Sequence, residues 1–218
     1  MSHLFRFFRR GWDTASLFST CPVCRGTLDG MRTAYIGMGG NLASWAGAPE
    51  NTLRAAARRL ESLGRVTCRS SLYSTDPVGF AEQPRFINAV VELETDLAPR
   101  ELLDGLLRIE QEFGRNRAAS FVNGPRTLDL DILLMDGLKV SEPGLEIPHP
   151  RLAERAFVLV PLCEIAPLFI DVSRQRTVAQ LLHGLVPNTE STVHAVVPIE
   201  GGGWRAGAGL DDADPGAR

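Results

Sequence analysis

An α+β sandwich with a mainly antiparallel sheet is the fold class that this 218-residue sequence predicts. Three observations carry it. Apolar residues alternate with period two in several short segments, two longer segments repeat them with helical period, and together these run strand, helix, strand, strand, helix, strand. That order belongs to a ferredoxin-like sandwich, with helices packed on one sheet. The pattern occupies residues 31–199. Residues 1–30 are rich in Arg and Phe without continuous periodicity and are read as a poorly ordered N-terminal extension; residues 200–218, rich in Gly, Ala and Asp, are read as a disordered tail.

Each element has its own justification. "TAYIGMG" is a first strand ending in glycines. "APENTLRAAARRLESLG" places Leu53, Ala56, Ala57, Leu60 and Leu63 on one helical face, with Gly64 as its stop. "VTCRSSLYST" reads as one strand, and "DPVGFAEQP" as a loop punctuated by Pro and Gly. "RFINAVVELET" is strand-like. "APRELLDGLLRIEQEFG" is the second helix, with Leu102, Leu106, Ile109 and Phe113 inward and Gly114 ending it. The polar loop "RNRAASFVNGPR" then leads into "TLDLDILL", a strand. The remainder, through "FVLVPLCEIAP" and "TVAQLLHGL", reads as short helices and connections.

Composition narrows the function. A net charge of −3 makes no global case for nucleic-acid binding. No apolar run reaches the roughly 18–20 residues that span a bilayer. Lys139 is the only lysine and follows Leu138, so a Walker-type Gly-Lys loop is excluded and any phosphate chemistry falls to arginine. Four scattered cysteines, Cys21, Cys24, Cys68 and Cys163, point to a reducing compartment. "CPVC" resembles half of a zinc ribbon, but a structural zinc needs four ligands and no second CxxC follows. The Arg-rich start lacks the apolar stretch and processing site of a targeting peptide.

The last strand carries the chemistry. Leu128, Leu130, Ile132 and Leu134 share one face; Thr127, Asp129, Asp131 and Leu133 share the other. Two carboxylates roughly 6.5–7 Å apart along a strand raise each other's pKa unless a cation neutralises them. Magnesium suits such oxygen ligands, and completes its shell with water and phosphate oxygens. The bland alternative is a sheet face open to solvent. Arg115, Arg117 and Arg126 bracket the preceding loop, and guanidiniums beside two acidic ligands suit a polyphosphate. Phe86 and Asn88 share a face of their strand, a ring beside a carboxamide, as a planar heterocycle requires. "PHPRLAERAF" adds His149, Arg155 and Phe157, where a His between prolines is also common as a structural residue.

With these motifs in hand, the middle of the chain resembles the 6-hydroxymethyl-7,8-dihydropterin pyrophosphokinase family. The likeness runs from "AYIGMGGNL" through "SSLYSTDPVG", "FINAVVELET", "RIEQEFGR" and "GPRTLDLDILL" to "IPHPRLAERAFVLVPL", about 160 of 218 residues. It implies a transferase, a diphosphotransferase of folate biosynthesis that moves pyrophosphate from ATP to a pterin alcohol and releases AMP. On that resemblance Arg115, Arg126, Asp129 and Asp131 are the catalytic residues, and Asp129 and Asp131 hold two Mg2+ ions. Thr75, Pro77, Val78, Phe86, Asn88 and Phe157 bind the pterin. Glu110, Arg115, Arg117, Arg126, Ile132, His149 and Arg155 bind ATP. The sequence departs from the family pattern at Gly40, where serine is frequent, at Phe86, where tyrosine also occurs, and at Val122-Asn123 in place of an Arg-Trp pair. The expectation is a cytoplasmic, monomeric enzyme with no nucleic-acid or membrane partner. Two rivals stand against it: a binding module whose aspartates are surface charges, and a phosphohydrolase using water as acceptor.

Overall fold

The computed structural model describes residues 30–80, 82–115, 124–185, 196–199 and 204. Residues 1–29 of the N-terminal extension, with Cys21 and Cys24, Arg117, and Val122-Asn123 lie outside the described residues, as does the 200–218 tail apart from Trp204. In chain order come β1 (Arg32–Gly40), α1 (Pro49–Leu60), β2 (Arg65–Arg69), β3 (Tyr73–Thr75) and β4 (Phe86–Thr95). Then follow α2 (Pro99–Glu112), β5 (Asp129–Met135), β6 (Val140–Glu142) and β7 (Leu145–Ile147). A 3-10 turn (Leu152–Glu154) precedes α3 (Ala156–Ile165), β8 (Ile170–Asp171), β9 (Arg176–Thr177), α4 (Val178–Leu185) and β10 (Val197–Pro198).

The main sheet has β1 at its centre, antiparallel to β4 on one side and to β5 on the other. Both β2 and β3 pair with β4, end to end along its far edge, and β10 pairs with β3. With β2 and β3 counted as one position, this is the strand order of the ferredoxin-like sandwich.

Helices α1 and α2 cover one face of the sheet. Each begins with Pro at its first turn, where the missing N–H costs nothing, and α2 adds the Glu101 carboxylate accepting from the Ala98 N–H at 2.9 Å. Their inward residues are those the helical period picks out: Leu53, Ala56, Ala57 and Leu60 from α1, and Leu102, Leu106 and Ile109 from α2, all buried. They meet Ala34, Ile36 and Met38 of β1, Val91 and Leu93 of β4, and Leu130 and Ile132 of β5. Each buried Leu or Ile contributes about 1.5–3 kcal/mol, so this face holds the sheet together. Gly114 ends α2 at φ +83°, a conformation that costs glycine little. Helix α3 packs on β4 and against α4.

Three readings of the sequence need correction. "VTCRSSLYST" is two strands, because the chain leaves the ladder at two serines. Ser70 exchanges two hydrogen bonds with Val90, its N–H donating to the carbonyl and its Oγ accepting from the N–H, both at 2.9 Å. Ser71 then donates from its N–H and its Oγ to the carboxylate of Glu164, both at 2.8 Å, a partner 93 residues away. The hairpins β6–β7 and β8–β9 occupy segments read only as connections. Trp204 belongs to the segment read as a disordered tail, yet it is buried, with its indole N–H on the Ser70 carbonyl and the Arg69 guanidinium over its ring.

Candidate active site

The face of the sheet away from α1 and α2 carries the site, and glycine shapes its floor. In β1, Gly39 lies opposite Asn88 of β4 on one side and Asp129 of β5 on the other. Gly37 likewise lies between Val90 and Asp131. A Cβ on Gly39 would stand 2.8 Å from Asn88 Oδ1, and one on Gly37 would stand 3.1 Å from the Leu133 side chain. The glycines therefore open a trough, with the carboxamide on one bank and the two carboxylates on the other. Strands lie about 4.8 Å apart, so the banks are roughly 10 Å from each other. The trough is part of a cleft of about 300 Å³.

The pterin-type residues converge on one bank. Asn88 donates from Nδ2 to the Thr75 hydroxyl at 2.7 Å, which leaves its Oδ1 free to accept from a ligand. Phe86 and Phe157 both line the cleft, from β4 and α3, and Val78 lines it from the loop before β4. Pro77 is half-buried beside Val78 and does not line the cleft.

On the other bank Asp129 accepts from Arg126 Nη1 at 2.7 Å and from Arg115 Nη1. The same Arg115 nitrogen donates to Glu110 at 2.7 Å and to the Leu128 carbonyl at 3.1 Å. Glu110 does not line the cleft. It is buried behind β5, where Oε1 also accepts the Leu130 N–H at 2.8 Å, so it anchors Arg115 from below. Asp131 is pushed up to about 6, by burial first and then by the negative charge of Asp129. Arg155 lines the cleft with its guanidinium 5.6 Å from the Phe157 ring, and Arg126 stands 5.3 Å from that of Phe86. His149 is drawn down to about 4 by burial and by Arg155 and Arg151, and its Nδ1 accepts the Arg151 N–H at 3.1 Å. It therefore sits in the site as a neutral imidazole.

A second cleft of about 320 Å³ shares Asp131 and His149 with the first. Ile132, Leu103 and Leu145 supply apolar walls, and Glu142 and Glu146 acidic ones. The structure thus gathers Arg115, Arg126, Asp129, Asp131, Thr75, Val78, Phe86, Asn88, Phe157, His149 and Arg155 around one cleft and places Ile132 at its neighbour. Sequence reasoning missed the glycine trough and the walls given by β7. The first had a signal: Gly37 and Gly39 alternate on the face where Asn88 and Asp129 point.

Gly40 allows a close approach of a different kind. A Cβ there would stand 2.3 Å from the Thr127 carbonyl oxygen, so the chain before β5 passes directly over the end of β1.

The family described as 7,8-dihydro-6-hydroxymethylpterin-pyrophosphokinase (HPPK) matches residues 35–167. A 2-amino-4-hydroxy-6-hydroxymethyldihydropteridine pyrophosphokinase of Pseudomonas aeruginosa is 45% identical over 139 residues, 63% of this chain and 82% of the relative. One of Bacillus subtilis is 44% identical over 149 residues, 67% of this chain and 84% of the relative. Among solved structures, Plasmodium falciparum HPPK-DHPS with pteroate superposes with a TM-score of 0.59 at 15% identity, covering 73% of this chain and 45% of that one, a likeness of fold.

Proposed function

This chain belongs to the HPPK family, and from that premise we propose how its residues carry out the transfer of pyrophosphate from ATP to 6-hydroxymethyl-7,8-dihydropterin. The activity is that of a diphosphotransferase in folate biosynthesis. The observation that carries the reading is the trough, which separates a heterocycle bank from a carboxylate and arginine bank by two strand spacings.

The pterin lies between the Phe86 and Phe157 rings, with Asn88 Oδ1 accepting from its edge. Its hydroxymethyl group then points across Gly37 and Gly39 toward Asp129 and Asp131. The phosphates of ATP lie along that second bank, and the base occupies the neighbouring cleft between Ile132, Leu103 and Leu145. The hydroxymethyl oxygen attacks the β-phosphorus and gives up its proton to bulk water, the bond from that phosphorus to the oxygen bridging to the α-phosphate breaks, and AMP leaves. Arg115, Arg126 and Arg155 bind phosphate oxygens and stabilise their charge in the transition state, which is where phosphoryl transfer gains most. Glu110 keeps Arg115 aimed, because a guanidinium held by a buried carboxylate has little freedom. His149, neutral in the working pH range, offers a hydrogen bond rather than a charge.

Two magnesium ions belong to the same proposal. Asp131 is destabilised as a carboxylate beside Asp129, and such a pair invites a cation. An all-oxygen set with only two side chains suits magnesium, with phosphate and water filling the rest. Bound there with ATP, magnesium neutralises phosphate charge. Among the described residues no helix is long and apolar enough to cross a membrane, and Cys68 and Cys163 are both free thiols. A cytoplasmic monomer is part of this reading.

The test is AMP release from ATP with and without the pterin, in magnesium and in EDTA, for the parent chain and Asp129→Ala. AMP that requires pterin and magnesium and disappears in the variant is the expected result. Phosphate or pyrophosphate release without pterin would establish a hydrolase instead. No nucleotide turnover under any condition would leave a binding module.

A further inference from the structure

We propose that Asn41 is a positioning residue that holds the two banks of the site in register; this rests on the assignment of the pterin and nucleotide banks above. β1 is the central strand and runs antiparallel to both neighbours, so its end lies beside the starts of β4 and β5: Gly40 pairs with Ile87, and Gly39 with Asp129. The residue that follows β1 therefore falls between the two lead-in segments, one carrying Phe86 and the other Arg126. That residue is Asn41, 4% exposed and outside the lining of the cleft.

Its side chain has two donors and an acceptor, and all are used across that gap. Nδ2 donates to Gln83 Oε1 and to the Pro84 carbonyl, both at 3.0 Å. Oδ1 accepts the Arg126 N–H at 2.8 Å, and the Asn41 N–H donates to the Arg126 carbonyl at 2.9 Å. The Pro84 carbonyl can only accept and the Arg126 N–H can only donate, which fixes the orientation of the amide. Pro84 is two residues before Phe86, and the Arg126 guanidinium lies 5.3 Å from that ring while bonding Asp129. Arg85 closes the neck of the same loop, donating to Ser74 Oγ at 2.9 Å and pairing with Asp76. One buried carboxamide thus ties the loop that carries the pterin wall to the backbone of the arginine that binds phosphate.

Substitutions separate the two ties. Asn41→Asp keeps the acceptor for the Arg126 N–H but loses both donors and sets a carboxylate oxygen against the Pro84 carbonyl. Asn41→Ala loses all three side-chain bonds. Gln83→Leu, on the partly exposed loop, removes one partner and leaves Asn41 intact.

The experiment is steady-state AMP formation with ATP and 6-hydroxymethyl-7,8-dihydropterin, each varied at saturating levels of the other, with thermal unfolding of every protein. With each lost hydrogen bond weakening its tie by roughly threefold, Asn41→Asp is expected to raise the pterin KM about tenfold and to move the ATP KM by less than about twofold. Asn41→Ala should also lower kcat by about tenfold, because Arg126 loses its tie, and Gln83→Leu should raise the pterin KM about threefold. Equal changes in both KM values, or a lowered Tm with the KM ratio unchanged, would overturn the proposal. Should both Asn41 variants fail to fold, Gln83→Leu decides, and an unchanged pterin KM in that variant overturns it. A parent chain that forms no AMP with both substrates would bring down the functional reading and this inference with it. An active parent with unaffected variants would remove the role of Asn41 alone.

Discussion

Asp131→Asn is expected to stabilise the ligand-free protein at neutral pH while removing its activity. Folding raises this carboxyl from 3.8 to about 6, through burial first and then through the charge of Asp129. The folded chain therefore holds the proton more tightly than the unfolded one does. The stability contributed by the protonated group is fully present below about pH 4 and is lost as pH climbs through about 6. Above that, the ionised Asp131 weighs against folding. That rise corresponds to at most about 3 kcal/mol, and partial exposure of the residue to solvent brings the expected gain to about 1–3 kcal/mol. Asparagine keeps the shape and removes the charge. The assay is urea unfolding of parent and variant in EDTA, at pH 7.5 and at pH 4. The variant should unfold at higher urea at pH 7.5, and the two curves should converge at pH 4. A variant no more stable than the parent at pH 7.5, or equally stabilised at both pH values, would refute the reasoning. The gain would mark Asp131 as a residue whose presence costs the apoprotein stability in exchange for a charge that a cation and phosphates require.

Three further outcomes follow from the same geometry. Glu110→Ala leaves the buried Leu130 N–H without its acceptor and Arg115 without its anchor, so a loss of about 3–5 kcal/mol is expected by urea unfolding, and Glu110→Gln should lose less; an unchanged midpoint in both would contradict the anchoring role. His149, drawn down to about 4 by burial and two neighbouring arginines, should contribute no inflection to kcat/KM for ATP between about pH 5.5 and 8; an inflection near 6.5 that vanishes in His149→Gln would overturn this. Removing the Phe86 ring should raise the pterin KM by about 5- to 150-fold, the range of a lost base–aromatic stack of about 1–3 kcal/mol, while Phe86→Tyr keeps the ring and should stay near the parent value.

Much of the framework is legible along the chain. The helical period in α1 and α2 identifies the residues that reach the core, and Gly114 marks the end of α2 where a positive φ is needed. Alternation in β5 places Asp129 and Asp131 away from that core, and alternation in β4 places Phe86 and Asn88 together. Periodicity reports the face on which a side chain stands, and for these strands that places Phe86, Asn88, Asp129 and Asp131; the other site residues rest on the family resemblance. Periodicity was not enough to see that "VTCRSSLYST" breaks, because the break is made by Glu164, a carboxylate from a helix 93 residues away.

What the sequence by itself determined was the set of faces: which residues pack inward, which carry charge or an amide outward, and in what order the elements follow. Only the tertiary structure decided which strands are neighbours, and hence that Asn88 and Asp129 stand on opposite banks of Gly39, that Glu110 supports Arg115 from beneath, and that Asn41 joins two loops. The reason is physical. The side-chain period of a strand is a local property of its backbone, whereas its neighbours and register are set by hydrogen bonds and packing between segments far apart in the chain.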